Sequence, residues 1–238
     1  VKYYISSADN NTNSQTSNIP NVPNAGFAKF YRVRDNGLTI YDVQYTPFND
    51  GNSGFIDAEV TVSGIVTASA ESNNLGYVFI QQENELGWAG IMATGNTSLT
   101  TLKINDKVTI TGIVKESFGV TRIENISSVS KTGTGTITPI KLTPSTFSTY
   151  SFANNEMYEG MLVKIVDPLK LKVVNKNADS PSNFGEYRIG ADLFDPNTGV
   201  RVLAGRQNSS TFSSLNVSLG GALLREAVPP ELLKDVMD

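Results

Sequence analysis

The residues of this chain best suited to meet another molecule are aromatic and amide side chains at strand spacing. Tyr77, Phe79 and Gln81 recur with period two in GYVFIQQ (76–82), so an extended strand puts them on one face, and Trp88 opens WAGIMA (88–93) shortly afterwards. Rings on a sheet face stack on bases or sugars, each base contributing about 1 to 3 kcal/mol. This is binding chemistry and makes or breaks no bond. The same side chains are also suited to fill a core or to pack beneath the segment 132–152, because Val78 and Ile80 supply the opposite face. Further on, Lys115, Arg122 and Lys131, with Lys103 and Lys107, give two β segments a basic tint, and Glu116-Ser117-Phe118-Gly119 forms the tip between them. Lys115, Phe118 and Arg122 therefore join the candidate ligand set. The structural alternative is a solvated strand face whose lysines guard an edge.

Composition removes most catalytic chemistry. The 238 residues contain no histidine and no cysteine, which excludes disulfides, thiolate metal sites, cysteine nucleophiles, serine triads and histidine-dependent nuclease chemistry within these residues. Carboxylate, lysine and tyrosine chemistry stays open, but no pair of Asp or Glu stands at a spacing that would face a cleft. The expectation is no catalytic residue, no cofactor and no metal. The loops Asn49-Asp50-Gly51-Asn52 and Asp195-Pro196-Asn197-Thr198-Gly199 carry oxygen ligands without the spacing of a calcium loop, and turn chemistry accounts for both. A net charge of −4 weakens a nucleic-acid reading, since phosphate neutralisation supplies much of that affinity. No apolar run approaches the roughly 18 residues that span a bilayer, so no membrane partner is expected. Val1 begins no signal peptide, which reads as a mature or excised piece. Abundant Ser, Thr, Asn and Gly fit a secreted bacterial β-module.

The elements that must position these residues are short strands. AEVTVSGIVT (58–67), GYVFIQQ, WAGIMA, KVTITGIVKES (107–117) and GVTRIENISSVSK (119–131) predict an all-β chain built on a five-stranded OB-type barrel. Gly64 and Gly112 fall inside the first and fourth strands, where a coiling strand bends and has no room for a Cβ. Barrels of this kind bind on the face of strands two and three and in the adjoining loops.

Upstream, KYYIS (2–6) and AKFYRVRD (28–35) read as two strands of an N-terminal hairpin or arm, joined by a stretch too rich in Asn, Ser and Pro for regular structure. FAKFYRVR resembles the closing strand of an immunoglobulin-like or fibronectin-like module. LTIYDVQYTPFNDGNSGFIDA (38–58) enters the barrel through one apolar-periodic turn. TGTGTITPIKLTPSTFSTYSF (132–152) leaves it as an extended connector along the barrel surface, where Ile137, Ile140, Leu142 and Phe147 seek burial. A second β region looks like a partial or degenerate repeat: MLVKIVDPLKLKVV (161–174), FGEYRIG (184–190) and GVRVLAG (199–205) parallel the first three barrel strands. The rest, 206–238, is expected to hold no two further strands, only a polar segment and a short helix near 230–237. The domain expectation is an arm over 1–37, the barrel and connector over 38–152, and the second OB-like region over 153–238.

IYDVQYTP (40–47), VTVSGIVTA (60–68), YVFIQQ (77–82), WAGIMAT (88–94), INDKVTITGIVKESFGVTRIENI (104–126) and MYEGMLVKI (157–165), in that order, resemble the OB-like domain found beside the nuclease domain of secreted bacterial extracellular endonucleases and in related multidomain exported proteins. The resemblance spans roughly 38–190. It implies a secreted or cell-surface accessory module for single-stranded nucleic acid or another extended polymer, without the family's separate catalytic domain. In that family the second strand commonly ends in an acidic residue after the glutamine, whereas Gln82 follows Gln81 here. The alternative is a structural or assembly module whose N-terminal arm joins neighbouring modules or subunits by strand addition.

Overall fold

The structure is a computed structural model. It describes residues 12, 34–47, 51–70, 77–146, 156–166, 171–178, 180–182, 187–190 and 200 in full, and the backbone alone of 2–3, 5–8, 16–19, 29–30, 147–148, 186, 201–203, 215–219 and 222–226. Among the described residues no helix is long and apolar enough to cross a membrane.

Four short strands come first: β1 (Lys2–Tyr3), β2 (Ile5–Ala8), β3 (Thr16–Ile19) and β4 (Lys29–Phe30). β1 pairs antiparallel with β4, as the hairpin reading requires, but through Lys2↔Phe30 and Tyr3↔Lys29 alone. The polar stretch between them is not wholly irregular: β2 and β3 pair antiparallel from Ile5↔Ile19 to Ala8↔Thr16. The segment between β2 and β3 begins Asp-Asn-Asn, residue types that favour turns, so a composition that argues against a strand also fits a hairpin.

The barrel is entered through helix α1 (Ile40–Gln44), whose start is fixed by a capping box. The Asp42 amide donates to Thr39 Oγ1 and the Thr39 amide donates to Asp42 Oδ2, at 3.2 and 3.0 Å. Ile40 and Val43 leave this turn for the barrel core, both fully buried.

The five expected barrel strands are β5 (Glu59–Ala68), β6 (Tyr77–Gln81), β7 (Gly90–Thr94), β8 (Asp106–Ser117) and β9 (Val120–Thr134). They close into a ring in the order β5-β6-β7-β9-β8, with β7 and β9 parallel and the other neighbours antiparallel. That order, with a 3₁₀ turn at Thr97–Thr101 between the third and fourth strands, is the OB-type closure. Val60, Val62, Val66, Val78, Ile80, Ile91, Ala93, Val108, Ile110, Val114 and Ile123 fill the interior. Gly64 and Gly112 lie in the ring: a Cβ on Gly112 would sit 2.6 Å from Ile123 Cγ2, beside the register shift between Thr111 and Ile113. Trp88 differs from expectation. It precedes β7 in a loop with φ 61° instead of opening the strand.

Beyond the barrel, β9 continues to Thr134, so the connector starts later than its composition indicates. It then forms β10 (Ile140–Leu142), followed by α2 (Ser145–Ser148). β10 pairs with β11 (Leu162–Ile165) in a second sheet, which places Leu142 in a second core instead of along the barrel wall. Ile137 and Ile140 are half-buried; the Phe147 side chain lies outside the described residues. The segments expected to parallel the barrel strands hold an antiparallel meander of β12 (Lys172–Asn175), β13 (Glu186–Gly190) and β14 (Val200–Leu203). The run 161–174 forms two strands, β11 and β12, in different sheets.

The last part of the chain corrects the sequence reading. Two strands follow, β15 (Leu215–Leu219) and β16 (Ala222–Glu226), paired antiparallel, and β16 runs parallel to β11. The second region is thus two sheets, in the orders β10-β11-β16-β15 and β12-β13-β14. The expected helix near 230–237 lies outside the described residues.

Candidate binding face of the barrel

Period-two alternation divides β6 as expected. Val78 and Ile80 point into the core, fully buried, and Tyr77, Phe79 and Gln81 take the outer face. The register extends that face across four strands. Phe79 pairs with Met92, Met92 with Arg122, and Arg122 with Lys115. Directly opposed residues share a face, so Phe79, Met92, Arg122 and Lys115 form one row, with Tyr77 beside it. Five of the seven candidate ligand residues, Tyr77, Phe79, Gln81, Lys115 and Arg122, therefore do fall on one surface, although they come from three strands.

Their accessibility differs. Tyr77 and Phe79 meet edge to face, 5.5 Å between centroids, and pack with Ala68, Met92 and Val120. Phe79 is 3% exposed and Gln81 2%: both stand where the alternation puts them, yet neither offers an open surface. Burial raises the Tyr77 hydroxyl above its ordinary range. The basic members are paired. Lys115 Nζ lies 2.6 Å from Asp57 Oδ1, and Arg122 Nη2 lies 2.5 Å from Glu124 Oε1. Lys107 and Lys131 likewise pair with Glu83 and Asp106.

Phe118 is the opposite case. It forms the two-residue β8–β9 turn with Gly119, both at positive φ, 55° and 73°, and its side chain is fully exposed. Because β7 and β9 run parallel in register, this turn lies at the same end of the barrel as the β6–β7 loop, where Leu86 is also exposed. Beside that loop is a groove of about 540 Å³, bounded by Gln82, Glu85 and Leu86 on one wall and Ile137, Pro139 and Lys141 on the other.

The same end is crossed by residues 156–162. The Trp88 amide donates to the Met157 carbonyl at 2.6 Å, and the Leu162 amide donates to Gln81 Oε1 at 2.7 Å. Between these bonds a Cβ on Gly90 would land on the Gly160 carbonyl carbon, so two glycines are needed for the backbones to meet. Ala89 is buried in the second core with Met161 and Val163. Trp88, half-buried, has its ring edge-on to Tyr45 at 5.6 Å. Trp88 and Gln81 are thus fixing points for this crossing segment.

At the centre of the crossing is Glu159, 2% exposed, which the sequence reading did not single out. Its Oε1 accepts from the Thr121 amide (2.8 Å) and from Gln44 Nε2 (3.3 Å), while Gln44 Nε2 also donates to the Gly90 carbonyl at 2.5 Å. Oε2 is buried with no hydrogen-bond partner. Burial, then the neighbouring Glu156 carboxylate, pushes the carboxyl up to about 9. Nearby, Glu116 accepts from the Ser53 amide (3.0 Å) and from Thr121 Oγ1. Among the described residues no group of three or more Asp or Glu is placed to hold a metal ion; Asp50 and residues 195–199 lie outside them.

No protein-family model matches the chain, and no curated protein does. Among solved structures, the chain is similar to the hypothetical protein YgiW from E. coli, at 13% identity and a TM-score of 0.29, over 43% of this chain and 96% of that one. A likeness of that size carries no argument about function.

Proposed function

We propose that this chain is a secreted or cell-surface, non-catalytic OB-fold binding module that holds an extended polymer across β6, β7 and β9. Phe118 carries the reading: a fully exposed aromatic ring held at the tip of the β8–β9 turn, on the rim where such barrels meet ligands. Tyr77, Arg122 and Lys115 continue the surface from that tip. Because Arg122 and Lys115 are matched by Glu124 and Asp57, recognition rests on stacking more than on charge. Single-stranded nucleic acid is the polymer favoured by the resemblance to the endonuclease-associated OB-like domain.

Fluorescence polarisation with a labelled single-stranded oligonucleotide, and with a labelled neutral oligosaccharide as the second arm, tests this. Phe118→Ala is expected to cost about 1 to 3 kcal/mol of binding. With two cations on the face, the salt slope for the oligonucleotide is expected near −1.4, at about 0.7 per phosphate contacted. No binding of either probe at low ionic strength, or binding indifferent to Phe118→Ala, rejects the module as described.

One observation favours a second reading, assembly through the N-terminal arm. β1–β4 and β2–β3 are separate two-stranded sheets, which are marginal alone and gain most by adding a strand from a neighbouring module or subunit. Light scattering with and without residues 1–26 decides it: identical monomers in both samples rule it out.

A further inference from the structure

Residues 156–162 meet the β6–β7 region at successive points, through backbone and through the Gln81 side chain. Met157 takes the Trp88 amide, Gly160 meets Gly90, and Leu162 gives its amide to Gln81. The segment therefore lies over one end of the strand-two and strand-three surface and holds Gln81 and Trp88 against itself. A carboxyl group sits at the middle of this seam with one oxygen bonded and the other buried without a partner. Glu159 in its neutral form satisfies the seam as a carbonyl acceptor for Thr121 and Gln44. In its ionised form it would place an uncompensated charge in an apolar site.

We propose that residues 156–162 form a pH-sensitive strap across the end of the barrel face, closed while Glu159 is neutral and loosened when Glu159 ionises. Of the groups that face this carboxyl, the two hydrogen-bond donors favour its charged form, while burial and the two neighbouring carboxylates oppose it and together prevail. Thr121 of β9 and Gln44 of α1 are neutral donors, Glu116 of β8 and Glu156 of the strap itself carry like charge, and Gly90 of β7 contributes only backbone. Among the described residues no cation is one of the groups that shift this carboxyl. Opening the strap brings Glu159 to water and separates it from Glu116, so ionisation and opening favour each other. That an open strap uncovers more of the ligand surface rests on the function proposed above; that it opens with pH does not.

The chain has one tryptophan, Trp88, and it lies under the strap. Acrylamide quenching of Trp88 and hydrogen exchange at the Trp88 and Leu162 amides report opening without any ligand. Both are measured from pH 5 to 9 in wild type and in Glu159→Gln, a neutral isostere. Wild type is expected to gain quenching and to exchange faster than Glu159→Gln at the same pH, by up to about tenfold per pH unit across the window in which only the open form is ionised. Far-UV circular dichroism should stay constant, because the barrel remains folded. Glu156→Gln removes one like charge and is expected to move the wild-type transition to higher pH, which keeps the test sound should Glu159→Gln fold poorly. Parallel pH profiles in wild type and Glu159→Gln, or a transition that Glu156→Gln leaves in place where Glu159→Gln does not fold, overturn the strap. A pH-dependent strap with no change in polymer binding would leave the strap standing and remove only its link to the ligand surface.

Discussion

Phe118 occupies a backbone conformation, φ 55°, that asparagine and glycine adopt readily and aromatic residues rarely do. The left-handed region costs an ordinary residue roughly 1–2 kcal/mol, and this ring recovers none of that by burial, being fully exposed. Phe118→Asn is therefore expected to stabilise the protein by about 1 kcal/mol, read as a rise in the urea midpoint, while abolishing the stacking contribution to polymer binding. Loss of both stability and binding would mean that the ring packs on something in the folded chain and is no ligand contact. The alternation that places Tyr77, Phe79 and Gln81 on one face is legible in the sequence because it is local. Which of them stays open is not, since Gln81 is closed over by Leu162, 81 residues further along the chain. Glu159 was invisible for the same reason: a glutamate in a polar segment gives no sign that Thr121 and Gln44 will bury it.

The elements were legible wherever a strand carries its own pattern. β5 to β9 follow from alternation and bounding turn residues, and Gly112 marks the bend of β8, where a Cβ would meet Ile123 and the Glu124 carbonyl. LNVSL and ALLRE flank Gly220-Gly221, a two-residue hairpin signature, yet the surrounding Ser-rich composition outweighs so short a signal. Trp88 shows a different limit. Its left-handed backbone is imposed by the meeting of Gly90 and Gly160 and by the bond to Met157, neither of which a strand pattern encodes. Crowding distinguishes the glycines by experiment. Gly112→Ala is expected to destabilise the barrel by about 1–3 kcal/mol through overpacking beside the bulge. Gly133→Ala, in β9 with nothing within 4 Å of its Cβ position, is expected to be neutral or stabilising by up to about 1 kcal/mol. Equal urea midpoints for the two variants would contradict a tight closure at Gly112.

At the scale of the whole molecule, two carboxyls set opposite limits on stability. The Lys131 ammonium, 2.6 Å from Asp106 Oδ1, and the Lys103 amide hold the Asp106 carboxyl below its ordinary range. Its contribution is present above the usual aspartate range and is lost as pH falls through the lowered value. Glu159 behaves the other way. Its carboxyl is held at about 9 in the folded chain against an ordinary 4.5, so between those values the folded state carries a proton that the unfolded state has released. Stability from Glu159 is therefore complete below about pH 4.5 and declines as pH rises toward about 9. The decline is at most about 1.4 kcal/mol per pH unit, and less where the strap loosens before the barrel unfolds. The melting temperature of wild type is expected to peak in mildly acidic solution, between the two transitions, and to fall toward pH 9. Glu159→Gln should remove the alkaline fall and leave the acid limb, whereas Asp106→Asn should remove the acid limb and leave the alkaline fall. Because Asp106 pairs across β8 and β9, and Glu159 bridges the barrel to residues that lead into β11, the two limbs report different parts of the fold. Differential scanning calorimetry of the three proteins from pH 3 to 9 separates them, and an alkaline fall that survives in Glu159→Gln would assign it to another group.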